Sequence, residues 1–130
     1  MNANLHWQIH KLAFLLEKKA DESLKKHTAV GYAQYKVLEA VGRNSLSKQN
    51  MIADLLDQTE ASISRQVKIL ERREFIIVAT VMDNKRAREL SLTEKGEDLL
   101  RQCEEVMALA QAHVFEGVGP EQLQHIEQLF

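Results

Sequence analysis

Short hydroxyl and long cationic side chains lie along one predicted helix, in a pattern that suits phosphates and base edges. The hydroxyl of Thr59 can accept a free backbone N–H of the first turn, so Thr59 is the predicted N-cap and part of the same candidate surface. Apolar residues at helical spacing predict a buried face: Ile63, Val67 and Leu70. The polar side chains left outside that face are Ser62, Ser64, Arg65 and Lys68. We expect the two serines and Arg65 near base edges and Lys68 against phosphate, and a phosphate contact or a solvated charge is the alternative for Arg65.

Charge is distributed unevenly along the chain, although the net charge is only −2. Residues 62–88 hold seven basic residues against three acidic ones, a local charge of +4, so the rest of the chain carries −6. A local basic patch can attract a polyanion, because screening limits the influence of distant charge to about 10 Å at moderate salt. A charged face that meets only solvent is the alternative explanation of the charge alone.

A two-stranded ribbon is predicted directly after this helix. Residues 75–82 are rich in Ile, Val and Thr and predict a strand, residues 83–86 predict a turn, and residues 87–92 predict the returning strand. The tip would then display Lys85 and Arg86, with Arg88 in support. A cationic tip beside a groove-binding helix can reach a neighbouring minor groove, where the potential of DNA is most negative.

Two predicted helices precede Thr59 and complete a helix-turn-helix pattern. The first covers about residues 31–41 and is predicted to end at Gly42, since glycine is common just past a helix end. The second has Ser47 as its predicted N-cap, and its apolar side chains are expected to face inward: Met51, Ile52, Leu55 and Leu56. Ser47 and Lys48 are further phosphate candidates, because a helix N-terminus attracts anions. A tight turn then leads to Thr59, in the order of a DNA-binding helix-turn-helix.

Both ends of the chain are predicted to be helices with more apolar surface than one small subunit covers. Residues 4–27 carry a stripe at helical spacing formed by Leu5, Ile9, Leu12 and Leu16. The last helix is predicted to begin at Pro120 and carries Leu123, Ile126 and Phe130. These residues are predicted to form a homodimer interface, because a second subunit is the natural cover in so short a chain. Burial within one subunit is the alternative.

The composition favours one helix-rich domain. The chain has 130 residues, 45% of them hydrophobic and 5% aromatic, with a single proline, which argues against a sandwich of many short strands. One cysteine excludes an internal disulfide and fits a reducing compartment. No secretion-signal profile opens the chain, and no apolar run approaches the roughly 20 residues that span a bilayer, so a soluble cytoplasmic protein is expected.

Other reactive side chains give weak signals. His6 and His10 lie four residues apart, as two metal ligands on a helix could, but no cysteine or carboxylate at suitable spacing joins them, so no metal or cofactor is expected. Cys103 falls on the apolar stripe of a long helix predicted from Thr93 to about residue 116, and it is expected to be inert core. No nucleophile–base pair, phosphate-cradling glycine loop or paired carboxylate site is evident, so no catalytic residue and no enzyme activity are predicted.

In order and spacing, these motifs resemble the MarR family of bacterial winged-helix regulators over nearly the whole chain. The matching stretches are YAQYKVL at residues 32–38, MIADLL at 51–56, ASISR at 61–65, LERREFI at 70–76 and RARELSLTEKG at 86–96. The last stretch is the most specific, because an arginine-alanine wing tip stands at a fixed distance from Leu-Thr-Glu-Lys-Gly in that family.

The resemblance implies an obligate homodimer whose first and last helices, residues 1–30 and 93–130, interlock around a winged helix-turn-helix at residues 31–92. It implies a recognition helix in the major groove and a wing on the minor groove. It also implies that a small phenolic or other ligand releases many relatives from DNA by binding between the two parts. Two positions depart from the family pattern. Asn84 replaces the aspartate that usually braces the wing arginine, and Glu74 replaces the usual glycine after the recognition helix, which must then end without an easy left-handed residue.

The sequence therefore predicts a mainly α-helical winged helix-turn-helix protein with a small β-wing, dimerised through its terminal helices. We expect it to bind double-stranded DNA at a near-palindrome, with half-sites about one helical turn or roughly 10 bp apart, and to repress transcription. One alternative hypothesis is a winged-helix module that binds protein through apolar contacts. Another is a metal or ligand sensor in which DNA binding is secondary.

Overall fold

The computed structural model describes residues 3–44, 47–81, 84–114, 116 and 119–128. Within these ranges the description excludes the side chains of residues 3, 81, 84–87, 114, 122, 123 and 126. The helices are α1 (Ala3–His27), α2 (Tyr32–Arg43), α3 (Gln49–Leu55), α4 (Glu60–Arg72), α5 (Glu94–Val114) and α6 (Pro120–Gln128), and the strands are β1 (Ser47–Lys48), β2 (Ile76–Val81) and β3 (Asn84–Leu92). The predicted fold class, mainly helical with a small β-wing, is confirmed.

One antiparallel sheet contains the three strands in the order β1-β3-β2. In the β2–β3 ribbon, Val78 pairs with Leu90 and Thr80 with Arg88, and the register shifts between Thr80 and Val81. β3 begins at Asn84, so the predicted turn over residues 83–86 was too long. Strand pairing thus continues closer to the ribbon tip than the change from apolar to polar residues indicates.

The core lies where α2, α4 and the sheet meet α1 and α5. Ile63, Val67 and Leu70 of α4 are buried as predicted, and they join Leu38 of α2 and Leu90 of β3. Periodic apolar residues on each element converge on this one cluster, which fixes the faces that remain outside. No helix in the part of the chain described here is both long and apolar enough to cross a bilayer.

Gly42 does not end the second helix, contrary to the sequence prediction. α2 continues through Gly42 to Arg43, and the N–H of Asn44 donates to the Val41 carbonyl at 3.2 Å. A Cβ on Gly42 would stand 2.6 Å from Cδ2 of Leu100. The glycine therefore serves close packing of α2 on α5.

The start of α3 also differs from the prediction. Ser47 belongs to β1, where it pairs with Leu90, and Lys48 occupies the N-cap position without a side-chain cap bond. Ser47 was the wrong N-cap because sheet pairing with a distant strand overrides the local helix signal. Met51 and Leu55 are 59% and 63% exposed, so the prediction that they face inward was wrong. The buried residues of α3 are Ile52 and Ala53.

The turns at both ends of α4 contain a residue in the left-handed backbone region. Asp57 has φ 52° in the turn before the helix, and Glu74 has φ 66° just after it. Thr59 is the N-cap, as predicted, since its Oγ1 accepts the N–H of Ser62 at 3.1 Å. Glu74 thus adopts the conformation that a glycine would adopt with less strain.

The first turn of α5 is joined to the end of α4, and we call this contact the α4–α5 junction: Arg73, Glu74, Phe75, Thr93, Lys95 and Gly96. Thr93 caps α5, as predicted, by accepting the Gly96 N–H at 2.9 Å, and its own hydroxyl donates to the Glu74 carbonyl at 2.6 Å. Lys95 Nζ donates to the Arg73 carbonyl at 3.0 Å and lies 4.8 Å from the centre of the Phe75 ring. The Leu-Thr-Glu-Lys-Gly motif therefore attaches α5 to α4.

Candidate nucleic-acid interface

The outer face of α4 presents cations to solvent. Opposite the buried stripe the exposed positions are Ala61, Arg65, Lys68 and Arg72. Among the described residues, neither Arg65 nor Lys68 has an acidic partner within ion-pair distance, since the ion pairs found there lie on α1, α2 and α5 and near residue 116. Both charges are therefore free to meet an anion.

Hydroxyl and amide groups lie at the edges of this face. Ser62 and Ser64 are half-buried there. The Ser62 hydroxyl donates to Oε1 of Gln58 at 3.0 Å. Gln58 precedes the N-cap and is only half-buried, so its amide nitrogen can donate to a ligand at the start of α4. Gln58 was not among the residues predicted from the sequence, although it lies next to the predicted N-cap, Thr59.

Ser47 and Lys48 differ in exposure: Ser47 is buried and Lys48 is exposed. Ser47 is 2% exposed, and its hydroxyl donates to the Asn44 carbonyl at 3.2 Å. A buried hydroxyl that already has a hydrogen-bond partner does not reach phosphate. We therefore remove Ser47 from the candidate DNA contacts. Lys48 is exposed at the start of α3 and stays in that set.

The wing is the β2–β3 ribbon, residues 76–92. Lys85 and Arg86 belong to β3, while their side chains lie outside the described part of the structure. Arg88 is half-exposed opposite Thr80 of β2. The backbone thus carries all three predicted wing cations on one strand.

Apolar side chains of α1 are exposed in the single protomer. Leu5, Ile9 and Leu12 are exposed, and Leu16 is half-buried. Trp7 and Phe14 are 61% and 62% exposed, and helical geometry sets them on the opposite side of α1. Leu123 and Ile126 belong to α6, but their side chains, and the whole of Phe130, lie outside the described residues. One protomer therefore leaves two apolar surfaces of α1 uncovered.

Four groups remote from the outer face of α4 have shifted pKa values, and one of them is Tyr32, whose pKa is raised by burial and by the nearby carboxylates of Glu17 and Glu39. A hydrogen bond from the Tyr32 N–H, helped by Lys25, lowers the pKa of Asp21. Burial, together with a 2.5 Å hydrogen bond to Glu39, raises the pKa of Tyr35. Burial also raises the pKa of Cys103, which is fully buried and so fits the expected inert core. These groups belong to the packing between helices.

The histidines give no sign of a metal centre in the described part of the chain. There, no three His, Cys, Asp or Glu side chains lie close enough together to hold a metal ion. His6 and His10 are exposed on α1, and the ring of His10 lies 6.4 Å from that of Trp7. His10 therefore lies toward the side of α1 that carries Trp7, away from the predicted interface stripe.

No family model matches the sequence. Solved structures, however, resemble nearly the whole chain. A mutant of MarR from E. coli complexed with operator DNA has 17% identity and a TM-score of 0.86, over 98% of this chain and 91% of that one. Sco3205, a MarR family transcriptional regulator from Streptomyces coelicolor in complex with DNA, has 22% identity and a TM-score of 0.85, over 99% and 84%. A MarR family regulator from a Rhodococcus species has 16% identity and a TM-score of 0.86, over 97% and 89%. At these identities the likeness establishes the fold, so the resemblance to MarR family regulators is confirmed at that level.

Proposed function

We propose that this chain is a sequence-specific DNA-binding transcriptional regulator of the MarR family. The observation that carries the proposal is the outer face of α4, where Arg65 and Lys68 are exposed without an acidic partner in the described chain. Two solved proteins of the same fold are bound to DNA. In this proposal α4 enters the major groove, Arg65 reads a base and Lys68 binds phosphate.

The remaining proposed contacts surround α4. Thr59, Ser62 and Ser64 approach the groove from the start and the edges of the helix. Gln58 joins them, because its amide lies beside the Ser62 hydroxyl. Phosphates are bound by Lys48 and, from the wing, by Lys85, Arg86 and Arg88. Ser47 is not included.

We also propose a homodimer, formed by residues 1–30 and 93–130 around the DNA-binding region 31–92. Its support is the apolar surface of α1, including exposed Leu5, Ile9 and Leu12, which needs cover in water. A twofold dimer presents two α4 helices, and its operator is then a near-palindrome with half-sites about one helical turn, roughly 10 bp, apart.

A small-molecule effector belongs to the same proposal. A cavity of about 250 Å³ lies between α1, α2 and α5, and its apolar lining includes Leu16, Ala20 and Met107 beside Tyr32. It lies beside residues 16–20 of α1 and against Tyr32, the first residue of α2. A small, largely apolar ligand held there would act between the dimer helices and the DNA-binding region, and we propose that it releases a repressor from its operator.

The proposal assigns no catalytic residue and no cofactor. It places the protein's activity in the cytoplasm, where the duplex DNA of a bacterial cell lies.

The first test is selection of bound sequences from random duplex DNA, followed by affinity measurements at several salt concentrations. The expected result is an inverted repeat whose affinity falls steeply as salt rises, because cation–phosphate contacts release counterions. Absence of enrichment at low salt, both with and without added small apolar acids, would reject the proposal.

A second candidate function is a winged-helix module that binds protein. The observation in its favour is exposed Met51 and Leu55 on α3, an apolar pair beside the proposed DNA-binding surface. Substitution of both by serine separates the two functions. DNA binding by the proposed regulator is expected to persist in that variant, whereas a protein-binding module would lose its partner.

A further inference from the structure

A series of hydrogen bonds leads from α1 through the start of α2 to α4. Asp21 of α1 accepts the Tyr32 N–H at 2.9 Å through one carboxylate oxygen and pairs with Lys25 at 2.9 Å through the other. The N–H of Gly31, the N-cap of α2, donates to Oε1 of Gln34 at 2.9 Å. The same Gln34 amide donates from Nε2 to Oε1 of Gln66 on α4 at 2.7 Å.

Gly31 allows this arrangement to be compact. It is buried, and a Cβ on it would stand 2.6 Å from Oδ1 of Asp21 and 3.4 Å from Oε1 of Gln34. Only hydrogen at this position lets the carboxylate of α1 and the amide of α2 approach the same backbone turn. The bonds therefore depend on both glycine and glutamine at these places.

The Gln34–Gln66 bond is the polar end of the contact between α2 and α4. α1 and α4 each pack on α2 and make at most slight contact with each other among the described residues. Apolar packing through Ile63 and Val67 holds α4 against α2, and the α4–α5 junction holds its C-terminal end, but neither supplies a directional bond that restrains the rotation of α4 against α2 at the middle of the helix. A hydrogen bond restrains it more, since its strength depends on angle.

We propose that Gln34 and Gln66 are positioning residues that fix the rotation of α4 relative to α1, and that they thereby determine which half-site spacing the dimer accepts. The inference rests on the proposed function. One base pair changes the half-site separation by about 3.4 Å and rotates it by about 35°, as follows from a helical turn of roughly 10 bp. A looser α4 tolerates that change and loses discrimination between spacings.

The test uses Gln66→Met and Gln34→Met, which keep side-chain length and remove the hydrogen bond, together with the double variant. Gln66→Met leaves the bond from Gly31 to Gln34 in place, so α2 keeps its cap. Ala33→Met, which introduces the same side chain at an exposed position beside Gln34 on α2, is the matched control. Each dimer is titrated with the selected operator and with operators lengthened or shortened by one base pair between the half-sites.

The expected result is a loss of about fivefold in the preference for the selected spacing, the size that one net hydrogen bond supports. The loss in the double variant should equal that in Gln34→Met, because Gln34→Met already removes the Gln34–Gln66 bond together with the bond from Gly31. The control should keep the wild-type preference. An unchanged preference in the folded single variants overturns the inference, as does weaker binding at every spacing or an additive effect in the double variant.

A second readout does not require DNA, so it separates this inference from the proposed function. Spin labels are attached at Glu22→Cys on α1 and Glu71→Cys on α4, both exposed, while buried Cys103 stays unlabelled. Labelled chains are diluted with unlabelled ones to isolate the distance within a subunit. Gln66→Met should broaden or shift that distance distribution, and Ala33→Met should not. A wild-type protein that binds no duplex rejects the proposed function, whereas an unchanged distribution in Gln66→Met overturns the bond as a positioning device.

Discussion

Single residues on α4 differ in what they offer a ligand. Arg65 and Lys68 extend from the centre of the outer face, while Ser62 and Ser64 lie half-buried at its edges. The hydroxyl of Ser62 already donates to Gln58, so it offers a ligand mainly its oxygen as an acceptor. The long cations should therefore dominate affinity, and the first turn of α4 should adjust specificity.

Arg65→Ala is expected to lower affinity for the selected operator by about 5- to 150-fold, the equivalent of roughly 1–3 kcal/mol, with most of the loss at one base position. Lys68→Ala should weaken binding to all sequences alike and reduce the salt slope by about one, because it removes a phosphate contact. Fluorescence anisotropy on a panel of single-base operator variants measures both effects. Arg43→Ala, at an exposed arginine on α2 outside the proposed DNA contacts and dimer segments, is the control and should bind like wild type. Equal losses at every base in Arg65→Ala would assign that residue to phosphate.

Glu74→Gly is expected to stabilise the protein by about 1 kcal/mol. Glu74 has φ 66°, where a side chain is strained and glycine is not. Urea unfolding followed by circular dichroism measures the gain. Glu105→Gly, at an exposed position within α5, should instead lose about 1 kcal/mol through lower helix propensity. A loss of stability in Glu74→Gly would show that the glutamate side chain makes a contact that outweighs the strain.

Local signals predicted single residues well where the deciding contacts are close in sequence. Thr59 and Thr93 cap the helices expected of them, because each cap bond reaches only three residues ahead. Ser47 was predicted from the same kind of signal and failed, because its backbone pairs with Leu90. The Gln34–Gln66 bond could not be predicted from the sequence either, because nothing in the local segment around one glutamine identifies the other as its partner.

Among the elements, the contacts between helices were harder to predict from the sequence than the helices themselves. Periodicity predicted α1, α4 and α5, but it did not predict that Gly42 lies inside α2 against Leu100. The exposure of Leu55 follows from the seven-residue length of α3, too short for a wide buried stripe. Two joints, the α4–α5 junction and the turn between α1 and α2, join the DNA-binding region to the long helices.

Gly96→Ala is expected to disrupt the α4–α5 junction and to destabilise the protein by about 2 kcal/mol or more. A Cβ there would stand 2.0 Å from the Phe75 carbonyl oxygen, a backbone atom that cannot move alone. Gly42→Ala is the comparison, because its nearest neighbour is the mobile end of the Leu100 side chain at 2.6 Å. Thermal unfolding should rank Gly96→Ala as clearly the less stable variant. Equal stabilities would mean that the junction can open without cost.

Asp21 should make the joint between α1 and α2 sensitive to acid. Its pKa is lowered in the fold, first by the Tyr32 N–H and then by Lys25, so its stabilising effect is complete above its ordinary value of 3.8 and is lost as pH falls through the lowered value. The difference in unfolding free energy between wild type and Asp21→Asn should therefore be constant near neutral pH and shrink below 3.8. Urea titrations at a series of pH values measure it. A difference that does not change with pH contradicts the assignment, and Lys25→Met should reduce the pH dependence only in part.

For the molecule as a whole, the exposed apolar side chains of α1 are the largest feature that one protomer does not explain. Leu5, Ile9 and Leu12 on one side, and Trp7 and Phe14 on the other, would all meet water in a monomer. The fold was predictable as a unit because many weak motifs agree in order and spacing. The assembly follows from the same residues only as a proposal, since its contacts lie between chains.

Leu12→Glu is expected to convert the dimer to a monomer, because it introduces a charge into the proposed apolar interface. Sedimentation at micromolar concentration should give the mass of two chains for wild type and of one chain for the variant. Leu55→Glu, at a leucine on α3 that is more exposed than Leu12, should remain dimeric. A Leu12→Glu protein that keeps the dimeric mass would assign the interface to other residues.

Trp7 gives the protein an intrinsic fluorescent reporter. It is the one tryptophan of the chain, and it is exposed on α1 in the isolated protomer, far in sequence from α4 and the wing. Its emission therefore tests whether the side of α1 that carries Trp7 and Phe14 is also covered when subunits associate: a shift to the blue on association, reversed on dilution before any helix melts, would place that side in the interface, and an unchanged emission would leave it in water. Comparison of that shift with the circular dichroism signal separates dissociation of the subunits from unfolding of each one.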